Sequence, residues 1–366
     1  GWLWICSIYD EISDRLHVAW IGRDVMAWCS GLHIIFYDVV QKTEVLQSYV
    51  KHSQGEGACC LSGHPTLPIF AFAEKVSDPR ILVYKYPAMK LTSECVKGGP
   101  SGYLATAFTE HEHLVTLASY PHFSLVVWSW RTGEKLTTVP THIKDMKRQM
   151  IATTFNGPTM IAQLGKDSGK LTVWQMKLCG KLVSLKFKDI KLPRGERVNA
   201  ATWNPEPGPP MLGILDEDCR MYVLSHDATV PTKIAQTQRC SECVEIEASD
   251  ICWYRGGLIL KTTFCQIRYY KKLSESNLHW SRIWMVKVQA HPYVLTSHPF
   301  RNDRVFFHTL EGDLMQLEIP DDSESSTQPS MVTHLRRGSV YRFMNWIYPW
   351  GHHLTVVDNA TELSVL

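Results

Sequence analysis

Few side chains in this 366-residue sequence stand at the spacings that catalysis or metal binding needs. Cys240-Ser241-Glu242-Cys243 has the CxxC spacing of half a structural zinc site, but such a site takes four ligands and no second pair follows at a suitable distance. His111 and His113 alternate with Glu110 and Glu112, a set able to ligate a cation, although a polar turn between two strands accounts for it as well. His352-His353 follows Pro349-Trp350-Gly351 and reads as a hairpin turn, and Asp216-Glu217-Asp218 reads as a turn whose carboxylates need no partner beyond water. A phosphate-cradling loop is missing, since Gly165-Lys166-Asp167 lacks both the spacing and the hydroxyl of a GxxxxGK(S/T) motif, and neither GxSxG nor HExxH occurs. No catalytic, cofactor-binding or metal-ligating residue is therefore expected, and the chain reads as a protein that binds other proteins.

Charge is the remaining chemistry. Residues 177–197 carry Lys177, Lys181, Lys186, Lys188, Lys191, Arg194 and Arg197 against Asp189 and Glu196, and a second basic stretch holds Lys144, Lys147 and Arg148. The alternation Leu185-Lys186-Phe187-Lys188 suits an outer strand whose lysines face solvent. Two readings stay open: lysines on an edge strand deter pairing with another chain, and a cationic patch steers an acidic partner toward it. Lys181, Lys186, Lys188, Lys191, Arg194, Arg197, Lys144, Lys147 and Arg148 are the candidate partner-binding residues. The whole chain has 38 basic and 36 acidic side chains, a formal charge of +2, so no global field drives adsorption to nucleic acid or membrane, and neither is expected as a partner.

The elements that must position these charges repeat. A β-branched and aromatic segment recurs as His33-Ile34-Ile35-Phe36-Tyr37, Ile81-Leu82-Val83-Tyr84, Leu125-Val126-Val127-Trp128, Leu171-Thr172-Val173-Trp174, Met221-Tyr222-Val223-Leu224, Ile267-Arg268-Tyr269-Tyr270, Leu314-Met315-Gln316-Leu317 and Leu363-Ser364-Val365-Leu366. The intervals between their last residues run from 44 to 50. Ahead of each lies a short strand, then a continuous apolar run such as Ile69-Phe70-Ala71-Phe72-Ala73, and after each a more polar stretch such as Glu134-Lys135-Leu136-Thr137-Thr138-Val139. Apolar runs of four to six residues bounded by turn formers are strands buried on both faces. Two buried strands, a third closing on an aromatic and a polar outer strand make one blade of an all-β, WD40-like β-propeller. A parallel β/α fold would need helical periodicity between the strands, and none is present.

Eight such repeat units fit the chain, as an eight-bladed ring sealed by Trp2-Leu3-Trp4-Ile5-Cys6-Ser7-Ile8, or as seven blades plus the start of a second propeller. Residues 1–366 are expected to form a single propeller, with 320–338, which includes Pro320-Asp321-Asp322-Ser323-Glu324-Ser325-Ser326, as a long mobile inter-blade loop. The sequence shows no run of 18 apolar residues, no signal peptide at its start and 11 scattered cysteines, which together suggest a cytoplasmic protein in a reducing compartment.

The Trp-Asp dipeptide that names the WD40 class survives only as Tyr37-Asp38, so the repeat is degenerate. One region is more specific. Gly55-Glu56-Gly57, Phe72-Ala73-Glu74-Lys75, Pro79-Arg80-Ile81-Leu82-Val83-Tyr84-Lys85-Tyr86-Pro87, Leu117-Ala118-Ser119-Tyr120-Pro121 and Leu125-Val126-Val127-Trp128-Ser129-Trp130 resemble the second and third repeats of the cilia- and flagella-associated WD-repeat proteins. The resemblance covers roughly 80 to 120 residues, and past residue 180 only the generic repeat supports it. It implies an N-terminal propeller of a longer axonemal protein with coiled coils, located in the cytoskeleton of a cilium or flagellum. In that family the propeller is part of a tether holding an inner-arm dynein to the doublet microtubule. Implied partners are a sister WD-repeat protein, inner-arm dynein subunits and tubulin, whose tails are acidic; no cofactor and no catalytic residue is implied. An adaptor for a non-axonemal complex, in trafficking or ubiquitin ligation, is the other class that the sequence admits.

Overall fold

Ile69–Glu74 and Met160–Gly165 are buried at every position, whereas Lys135–Pro140 is exposed or half-buried throughout. That gradient is what a stack of antiparallel strands running from a central channel to an outer rim requires, since inner strands are covered on both faces and outer ones are not. A computed structural model describes residues 18–30, 33–47, 57–110, 112–154, 156–237, 250–262, 266–274, 279–288, 292–297, 304–309, 313–319, 331–336, 343–346, 354–357 and 363–365. All its regular elements are strands. They form seven four-stranded antiparallel sheets over residues 18–47, 58–95, 103–140, 149–190, 198–236, 250–287 and 292–336, here blades one to seven. In each, sequence neighbours pair, and the first strands of successive blades lie side by side around the centre.

The core is not one mass but seven clusters, each between two adjacent blades. Phe36 of blade one meets Phe70 and Tyr84 of blade two, and Trp128 of blade three packs with Cys60, Val83 and Cys95 of blade two. The pattern continues round to blades six and seven, where Tyr269 and Trp284 pack on Val305 and Phe307. The seventh cluster joins Met26, Trp28, Ile35 and Tyr37 of blade one to Phe306 and Leu314 of blade seven. Trp20 Nε1 donates to Thr296 Oγ1 at 3.0 Å, Tyr37 OH donates to the Leu335 carbonyl at 3.1 Å, and Trp20 stands edge-on to Phe306 at 5.3 Å. The molecule is thus a seven-bladed, WD40-like propeller.

This decides between the two ring sizes. Blade one lies directly against blade seven, so the eighth unit, a three-stranded sheet of Phe343–Trp346, Leu354–Val357 and Leu363–Val365, does not stand between them. Blades one and seven each own all four of their strands, and the seam closes face to face rather than by a borrowed outer strand. Trp2–Ile8, expected as that strand, lies outside the described residues. Of the expected inter-blade loop 320–338, Met331–Arg336 instead forms the outer strand of blade seven, paired along Leu314–Glu318, and residues 320–330 lie outside the described part.

The polar links that usually brace WD40 blades are replaced rather than lost. Trp128 Nε1 donates to Thr116 Oγ1 at 2.9 Å within blade three. In blade four Trp174 Nε1 donates to Gln163 Oε1 at 3.1 Å, Gln163 Nε2 to Gln149 Oε1 at 2.9 Å, and Gln149 Nε2 to the Asp145 carbonyl at 2.8 Å. His64, 2 % exposed, is a turn-bracing group: its Nδ1 accepts from the backbone N–H groups of Thr66 at 3.2 Å and Leu67 at 3.1 Å.

Candidate functional site

In an antiparallel blade, links from the second to the third strand and links leaving the fourth strand emerge at one end, the upper face; the other two kinds of turn emerge at the lower face. That rule sorts the nine cations singled out from the sequence. Lys144, Lys147 and Arg148 lie on the link entering blade four, and Lys191, Arg194 and Arg197 on the link leaving it, all on the upper face. Lys181 occupies the tip turn of blade four at the lower end, and Lys186 and Lys188 sit along its outer strand. All nine therefore belong to one sector of the ring, split between its upper face and its rim.

Asp167, in the upper turn of blade four, ties the two links together. Arg148 Nη1 lies 3.4 Å from its carboxylate, and Arg197 donates to its backbone carbonyl. Lys144 Nζ donates to the His122 carbonyl at 3.5 Å and stands 5.3 Å from the centre of the Phe123 ring. Lys191, Arg194 and Lys147 are exposed, as are Lys181 and Lys186. Lys188 departs from the expected solvent-facing role. It is half-buried, and its ammonium donates to the carbonyls of His226, at 3.1 Å, and Ala228 in blade five. Burial lowers its pKa, against the opposing pull of Asp227. It holds two blades together, while Lys181 and Lys186 remain available to a partner.

The carboxylates of 216–218 also depart from expectation. Asp216 is fully buried: its Oδ1 accepts from the backbone N–H groups of Asp218 at 2.9 Å and Arg220 at 2.8 Å, and its Oδ2 lies 3.3 Å from Arg220 Nη1. Burial raises its pKa although Arg220 pulls the other way. Glu74 fills the matching place at the end of the second strand of blade two, gripped by Arg80 at 2.8 Å, which also reaches Glu94 at 3.0 Å. These pairs hold the start of a third strand. Cys240, Cys243, His111, His352 and His353 lie outside the described residues. Among the described residues no three His, Cys, Asp or Glu side chains gather as a metal site would require.

Three features escaped the sequence reading. Tyr120 and Met146, both more than half exposed, lie on upper-face links beside the basic residues, where an isolated apolar residue in a turn leaves no periodic trace. Lys261 is fully buried, with Nζ donating to the Pro292 carbonyl at 2.8 Å across the junction of blades six and seven. Its signal was a lone lysine ending the apolar run Leu258-Ile259-Leu260. Last, the outer hairpin of blade four, Lys170–Cys179 and Leu182–Ile190, is longer than its counterparts and carries exposed Leu178, Leu182 and Phe187.

No protein-family model matches the chain. It is, however, similar to cilia- and flagella-associated protein 44 of Mus musculus, 23 % identical over 167 residues that make 45 % of this chain and 9 % of the relative. Protein 44 of Trypanosoma brucei brucei is 32 % identical over 120 residues, 32 % of this chain and 7 % of the relative. Cilia- and flagella-associated protein 43 of Xenopus laevis is 27 % identical over 183 residues, 49 % and 11 % of the two chains. The chain is thus similar to cilia- and flagella-associated proteins 44 and 43 over no more than half of its own length. Its ciliary relatives are far longer, so the aligned part spans only about a tenth of their length. The match to both proteins 44 and 43 ties this propeller to cilium- and flagellum-associated proteins.

Proposed function

We propose that this chain is the propeller part of a non-enzymatic scaffold of the ciliary or flagellar axoneme, linking an inner-arm dynein or a neighbouring complex to the doublet microtubule. The observation that carries this reading is the similarity to proteins 44 and 43 in several species, joined to a closed seven-bladed ring. A ring of this kind works by shape and surface, with affinity spread over many contacts. Its partners on this reading are a sister WD-repeat protein, dynein subunits and tubulin. The blade-four sector, with Lys144, Lys147, Arg148, Lys181, Lys186, Lys191, Arg194 and Arg197 exposed or half-exposed, supplies the positive field that steers acidic partners into place.

The test begins with location. The full-length protein, tagged at its own locus, is expected to stay with detergent-extracted axonemes; release into the soluble fraction would end the axonemal reading. Charge reversal of Lys186, Lys191 and Arg194 should then weaken axoneme binding most at low salt, where exposed charges are least screened. Lys188 is left intact because it caps blade-five carbonyls. Unchanged binding would assign these cations to edge protection alone.

A further inference from the structure

The outer hairpin of blade four stands apart from the other six. Its strands have 10 and 9 residues, whereas the other outer strands have 5 to 7, and its pairing runs on through Lys177–Ser184 and Leu178–Val183 to Cys179–Leu182. A turn at Gly180 and Lys181 closes it, with φ +62° at Gly180. Leu182 is 76 % exposed, Leu178 52 % and Phe187 47 %.

Strand alternation gives the hairpin two unlike faces. Cross-strand partners share a face, so Trp174 with Phe187, Met176 with Leu185, and Leu178 with Val183 form one apolar stripe. It looks toward blade three, where Trp174, Met176, Val183 and Leu185 join the cluster of Leu104 and Leu125, and Phe187 packs on His142 at 4.6 Å. On the opposite face lie Lys177, Lys186 and Lys188, the last reaching into blade five, with Leu182 at the tip. No carboxylate occurs from Leu171 to Lys188. Leu182–Ile190 is the last strand of its sheet, so among the described residues no further strand pairs with its outer edge. At about 3.3 Å per residue that edge is roughly 30 Å long.

We propose that this edge accepts an extended segment of another protein as a fifth strand, and that the segment alternates acidic and apolar residues. Backbone pairing would fix its register, and its side chains would fall alternately on the two faces. Those on the blade-three side meet exposed Phe187 and half-buried Leu185; those on the other side meet Lys186 and Lys177. A lipid surface would engage the tip leucines alone. The stripe instead runs back from the tip to Phe187 against the body of the blade, which suits an elongated protein segment. The proposal leans on the scaffold reading only in treating the ring as a docking body.

The experiment is a titration of the full-length protein with three eight-residue synthetic peptides: alternating glutamate and valine, the same residues in two blocks, and alternating glutamine and valine. The alternating acidic peptide should bind saturably and the other two at least about tenfold more weakly, which is about 1.4 kcal/mol. K177E/K186E should weaken its binding by a similar factor, while K90E on the outer strand of blade two leaves it unchanged. Hydrogen-exchange protection should rise over Leu182–Ile190. Equal binding of the blocked peptide, protection elsewhere, or no saturable binding would overturn the proposal. So would binding to phosphatidylserine vesicles that is lost in L178S/L182S, if the alternating peptide does not bind. All of this is read in solution, so failure here leaves axonemal location untouched, and loss of that location leaves this measurement standing.

Discussion

Lys261 shows how one buried side chain sets a condition on the whole ring. Lys261 is fully buried, its Nζ reaching from blade six to blade seven, and burial pushes its pKa down to about 7, against the attraction of Asp250 and with a lesser push from Lys166. In the unfolded chain the same amine titrates near 10.5. Between pH 7 and 10.5 the unfolded state therefore holds a proton that the folded state has released, and stability rises with pH across that window. Below pH 7 both states are protonated, and the folded one bears a buried charge answered by the Pro292 carbonyl at 2.8 Å. Denaturant titrations at pH 7 and pH 9 should show the native protein gaining on the order of 1 kcal/mol per pH unit relative to Lys261→Met, which keeps the stem and loses the titration. Parallel pH profiles for the two proteins would show that the amine stays charged when folded.

At the scale of the strand, the two buried carboxylates end a second strand and receive an arginine from the start of the third. Glu74 is 1 % exposed on its side chain and Arg80 21 %. Replacing the arginine alone takes the guanidinium from a buried carboxylate, whereas replacing both leaves an apolar contact, so Arg80→Met should lower the melting temperature more than Glu74→Met/Arg80→Met does. A double variant less stable than the single one would show that the pair itself stabilises the blade. The same residues explain what could be read from sequence. Phe72-Ala73-Glu74-Lys75 and Pro79-Arg80-Ile81 were legible as marks of the ciliary family, yet not as an ion pair, because the contact spans a turn that periodicity does not see. All eight third strands were legible, and so were continuous second-strand runs such as Ile69–Glu74, since burial on both faces writes apolar runs into the chain. Asp216 was misread as solvated and Lys188 as free for the converse reason: a polar residue at a strand end looks alike in sequence whether it meets water or an arginine. The length of the blade-four hairpin was half-visible, as a basic stretch, but its apolar face needed the strand register to appear.

For the whole molecule the deciding contact is the seam between blades one and seven. Six junctions join blades adjacent in sequence; the seventh joins residues 276 apart, Trp20 and Thr296, so it gains nothing from local connectivity and must hold by its own non-covalent contacts. Among the described residues no strand is shared across it, and it rests on Trp20, Trp28, Tyr37, Phe306 and Leu314, with side-chain hydrogen bonds from Trp20 and Tyr37. Phe306 is fully buried there, edge-on to Trp20. Phe306→Ala should cost about 3–5 kcal/mol, the range for removing a buried aromatic. Location tells more than magnitude. Because the seam has no covalent backing, hydrogen exchange should quicken first in Val18–Ile21 and Pro292–Ser297 together, on opposite ends of the chain, while Tyr103–Phe108 and Val198–Trp203 across the ring stay protected. Loosening spread evenly over all blades, or confined to blade seven, would mean that the ring does not depend on this seam to stay closed.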